Sequence, residues 1–131
     1  MDGNTINTLH RRVSLAKITS GAVSTLAPIT HVAFGTGGTD GNGDPVPPLF
    51  DADNLASEIA RYPIDSVIYP LDPPTTARYT CTIPPPDLPG ATINEAAIVD
   101  ADGNLCAIIT FYIKRKDAGI SFTFTFDDEF V

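Results

Sequence analysis

The groups able to do chemistry in this 131-residue chain are mostly carboxylates, and they gather in two turns. Asp100, Asp102 and Asn104 stand at the spacing of the first three ligands of an EF-hand calcium loop. Leu105 then holds the sixth position, where that loop needs glycine, and Phe111 the twelfth, where it needs a bidentate glutamate. Asp40, Asn42 and Asp44 repeat the pattern and fail at Pro45. Both groups read as turn formers. The glycine-rich stretch GTGGTDGNGD lacks the GK[ST] of a phosphate loop, and Asp40 stands where GxGxxG requires its third glycine. His10 and His31 belong to no HExxH, and neither has a serine or cysteine nucleophile beside it; no GxSxG elbow occurs. A carboxylate pair for glycoside hydrolysis would lack a tryptophan-lined cleft, since the chain has no Trp. The expectation is a protein without catalytic apparatus, cofactor or metal.

Net charge is −8 and the sequence pI is about 4.4. Such a surface repels nucleic-acid phosphate and anionic lipid, so neither is an expected partner. Charge is unevenly placed: Arg11, Arg12 and Lys17 make the N-terminal segment basic, and Asp127, Asp128 and Glu129 form an acidic tail. These are solvated faces or, alternatively, a pairing between neighbouring subunits. Arg11 and Arg12 interrupt the place where a secretion signal would need its apolar run, and no stretch reaches 18 apolar residues. Assembly in a cytoplasm is expected. Cys81 and Cys106 fall in apparent strands, do not form a CxxC pair, and read as reduced, buried small hydrophobes.

The elements that would position these groups are one helix and five or six strands. Ile6, Leu9, Val13 and Ala16 recur at helical spacing, which predicts a helix over 5–20, capped by Asn4 or Thr5 and stopped by Gly21, with His10 beside the stripe. Strands are predicted at 28–35, 64–69, 77–83, 91–99, 104–114 and 119–130, with one or two helical turns within 51–62 and a Gly/Asp/Pro loop over 36–49. Pro63 and Pro70 should bound the strand at 64–69. Asp102-Gly103 marks a hairpin turn. Ile120, Phe122, Phe124 and Phe126 alternate with Ser121, Thr123 and Thr125, so one face of the closing strand belongs in a core or an interface. The sum is an α+β fold over residues 1–131, a single domain with an N-terminal helix packed on a mainly antiparallel sheet and long Gly/Pro loops.

In order, AFGTGG at 33–38, EIAR at 58–61, INEAAIVDADGNL at 93–105 and the closing FTFTFDDEF resemble the N-terminal, baseplate-attaching domain of phage tail-collar fibre proteins. The resemblance covers roughly residues 13–131. It implies a non-enzymatic virion structural protein of a tail or baseplate, an adaptor assembled in the bacterial host cytoplasm and connecting fibre components as a homotrimer. It assigns Gly35, Gly37 and Gly38 to a turn, Glu95 to a site between strands, and Asp102 and Gly103 to the hairpin. The family usually continues into a shaft and a receptor-binding tip. The alternative is a small receptor- or glycan-binding module acting through the loop at 36–49.

Overall fold

A computed structural model describes residues 4–130. Thr5–Asn7 form a short strand, β1, rather than the first helical turn; its β-branched Thr5 and Ile6 lie along the edge of a later strand. Thr8 ends that pairing and starts the helix. Its N–H donates to Cys106 O at 3.0 Å and its hydroxyl accepts from Arg11 N at 3.1 Å, so the cap falls three residues later than Thr5. Helix α1 spans Leu9–Thr19 and Gly21, at φ +85°, follows it.

Six longer strands follow: β2 (Ile29–Gly35), β3 (Glu58–Ile68), β4 (Thr76–Ile83), β5 (Thr92–Asp100), β6 (Leu105–Arg115) and β7 (Phe122–Glu129). They form one antiparallel sheet in the order β1-β6-β5-β2-β3-β4-β7, curled into a half-barrel. Strand accounts for 46% of the structure and helix for 9%. The α+β expectation is therefore overturned. α1 buries no residue, and Leu9 and Val13 remain 40% and 44% exposed, so the helix is not a layer packed on the sheet. Its apparent apolar stripe borrowed Ile6, which packs instead as part of β1.

The helical turns expected within 51–62 are also absent, because β3 starts at Glu58 and runs through Pro63. Residues 58–63 pair with β2 and 64–68 with β4. A residue without an N–H is tolerated where a strand changes partner, and Pro63 sits at that corner.

The curl encloses the main core, where Val32 and Phe34 of β2 meet Cys81 and Ile83 of β4 and Phe124 and Phe126 of β7. Phe34 packs edge-on against Phe124 with ring centroids 5.5 Å apart. On the opposite face of the sheet, Leu55 from the loop before β3 covers Ala33, Ala97 and Val99. β5 is thus buried on both faces from Ile93 to Asp100. Phe124→Ala should cost about 3–5 kcal/mol by opening a cavity inside this single chain. Urea denaturation measures it, and a variant as stable as its parent would contradict the core placement.

Candidate functional site

The Glu95 carboxylate is 2% exposed and is bonded entirely to backbone. Oε2 accepts from Gly37 N at 2.7 Å and Ser57 N at 2.8 Å, and Oε1 from Ala56 N at 2.9 Å. None of the ion pairs among the described residues involves it. Three N–H donors compensate a buried charge that would otherwise be expelled. Asn94 completes the clamp: its Oδ1 accepts from Gly38 N at 2.7 Å and its Nδ2 donates to Thr39 Oγ1 at 2.9 Å.

The glycines are required by proximity, not by φ. A Cβ at Gly35 would stand 2.5 Å from Glu95 Oε2, one at Gly37 2.6 Å from Ala56 Cβ, and one at Gly38 2.2 Å from Asn94 O. Gly35, Gly37, Gly38 and Glu95, proposed separately from sequence, therefore belong to one device. It ties both ends of the loop between β2 and β3 onto β5, holding Leu55 over the sheet. Replacing Glu95 with Ala leaves three N–H groups without their acceptor. At about 1–3 kcal/mol each, the loss should be at least about 3 kcal/mol. Denaturation measures the total, and hydrogen exchange should show the Ala56 and Ser57 amides losing protection first.

The β5–β6 hairpin is organised by Asp100 rather than Asp102. Asp100 Oδ1 accepts from Asp102 N at 2.9 Å and Asn104 N at 3.0 Å, and Gly103 takes φ +85°. Asp102 itself is exposed. Asp40 plays the same part in its own loop, accepting from Asn42 N and Asp44 N. Among the described residues no three His, Cys, Asp or Glu side chains are grouped to hold a metal.

Of the charged residues set aside for an interface, several meet within the chain. Arg11 forks onto buried Asp128 at 2.8 and 2.6 Å, and Arg78 onto Asp127 at 2.8 and 3.1 Å. Burial alone would lower the Arg11 pKa, but its bond to Asp128 and that residue's charge leave it raised. Arg12 stacks over Phe50 and bonds to its carbonyl. Lys17 is exposed in the last helical turn, and Glu129 is half-buried at the end of β7.

Beneath α1 lies a cleft of about 620 Å³, lined among others by His10, Val23, Leu26, Tyr69, Tyr79 and Phe130. His10 Nε2 is 3.5 Å from Asp100 Oδ2, and the Cys106 thiol is 3.7 Å from that same oxygen. Carboxylate stands between imidazole and thiol, so the trio lacks the base-to-nucleophile contact of a cysteine enzyme. Sequence alone missed this grouping because His10 and Asp100 are remote in the chain. No family model matches this chain, and neither does any curated protein or solved structure.

Burial pushes both thiols up, Cys81 and Cys106 each to about 12, from an ordinary 9.0. They should stay unlabelled by a thiol reagent until the protein is denatured. The unfolded chain ionises them first, so their contribution to stability is complete below pH 9 and is lost as pH rises from there through about 12. A melting temperature followed upward from pH 8 should fall, and a flat alkaline limb would contradict the burial.

Proposed function

We propose that this chain is a non-enzymatic structural component of a phage tail, an adaptor that connects fibre components and assembles with copies of itself, with a cyclic homotrimer as its expected form. One observation carries the reading. The two blocks that most specifically suggested the resemblance, AFGTGG and INEA, are far apart in sequence yet lock together through Asn94, Glu95 and the three glycines. A matching pair of motifs that makes one mechanical unit is stronger support than two short motifs taken singly.

The surface agrees with an assembly part. Leu49, Phe50, Tyr69, Leu71 and Tyr112 are between 66% and 95% exposed, a load of apolar surface that suits burial against other subunits. The glycan-binding alternative finds less support, because Asp40 in the 36–49 loop spends its carboxylate on the loop's own backbone. The test is localisation: gold-conjugated antibody against this chain, applied to purified particles from cells that encode it. Label at the tail end is expected. Recovery of the chain only outside particles would overturn the proposal.

A further inference from the structure

The two ends of the open sheet are built differently, and together they suggest how copies join. At one end, β7 pairs with β4 without a bulge, from Thr76–Glu129 through Ile83–Phe122. Phe130 N donates to Thr75 O in the same register. By the alternation of an antiparallel ladder, Phe122, Phe124, Phe126 and Asp128 bond to β4, while Thr123, Thr125, Asp127 and Glu129 turn their N–H and C=O outward. No described strand takes these outward groups. The strand has no proline, lysine or bulge, and the charges that could keep its edge from pairing, Asp127, buried Asp128 and Glu129, are confined to its last three residues, leaving Phe122–Phe126 uncharged. Its side chains add charge at one end: Asp127 is held by Arg78, and Glu129 makes no ion pair among the described residues.

At the other end, β1 pairs only with Ala107–Ile109 of β6; beyond it the ladder to β5 is irregular over Phe111–Ile113, and Lys114 and Arg115 resume it opposite Ile93 and Thr92 with no described strand on their outer side. There Tyr112 and Ile113 are 66% and 52% exposed, followed by exposed Lys114 and Arg115. Ile120 and Phe130, flanking β7, are 59% and 43% exposed. One end of the sheet is therefore apolar and basic, the other apolar and acidic. Within one chain they face each other across the core through Phe111 and Phe124, 5.4 Å apart, without pairing as strands.

We infer that β7 of one copy receives the Tyr112–Arg115 edge of β6 from a second copy, with Lys114 meeting Glu129. Different surfaces are used on the two partners, so the contact is head-to-tail and repeats into a closed ring when its rotation permits. This deepens the assembly part of the function proposed above and rests on it, while particle localisation can succeed or fail independently.

Light scattering on the full chain after size exclusion tests it. The parent should be oligomeric. Thr125→Pro removes an N–H that faces away from β4, so it should keep its circular dichroism and lose the assembled peak; Thr125→Val should keep both. Should the proline unfold the chain, charge reversal decides. K114E should dissociate at low salt, E129K should weaken assembly likewise, and the two changes together in one chain should restore it. A monomeric parent overturns the inference even if particles carry the chain. So does a folded Thr125→Pro that remains assembled, or a double variant that fails to reassemble. Dissociation by proline with no response to charge reversal overturns the choice of the basic edge as occupant.

Discussion

A carboxylate held by backbone governs this fold. Glu95 is buried in the middle strand of its half of the sheet, and among the described residues three backbone N–H groups from two loop ends compensate its charge. That requirement fixes everything near it. The loop cannot drift without stranding a buried charge, and no side chain can stand at Gly35, Gly37 or Gly38 without displacing the acceptor or the β5 backbone. Because the loop is fixed, Leu55 covers the outer face of β2 and β5, and β5 becomes an interior strand on both sides. A local electrostatic constraint thus decides how many layers the protein has.

The second constraint is the phenylalanine seam. Phe34 meets Phe122 and Phe124 edge-on, and Phe111 lies across from Phe124. These contacts draw the two halves of the sheet towards one another while β3 turns the corner at Pro63. Curvature and core are one phenomenon here. The sheet bends because a strand shared between two partners allows it, and the aromatic interior gives it a reason to bend.

Much of this was legible in the residues. The alternation of Phe122, Phe124 and Phe126 identified an inward strand face, because a period of two admits no other regular structure, but Ile120, read into the same run, lies before β7 and is 59% exposed. The DADG turn was visible because few residues accept positive φ, and Asp100, read with Asp102 as a turn former, supplies its side-chain bonds. The N-terminal segment misled because Ile6, Leu9, Val13 and Ala16 mimic a helical face. A three-residue strand on a sheet edge leaves no periodicity to read, and only its long-range partner, β6, reveals it. The first half of β3 was hidden by Pro63, whose local meaning as a breaker is overridden where the strand changes neighbours. The clamp's residues were named from sequence only through the resemblance, and their joining was not legible, since Glu95 looks like any polar residue in a strand until its three donors arrive from elsewhere.

The order of the strands has a consequence for how the chain reaches this structure. Only β3–β4, β5–β6 and β2–β3 join neighbours in sequence, and β1–β6, β2–β5 and β4–β7 join segments separated by much of the chain. Loop-closure entropy is spent on those three ladders before their contacts return anything, so folding belongs to the milliseconds-to-seconds range of non-local β topologies. Until β7 docks, Phe34 lacks its edge-on contacts with Phe122 and Phe124, and the sheet exposes an aromatic face of the kind that makes partly folded chains prone to aggregate.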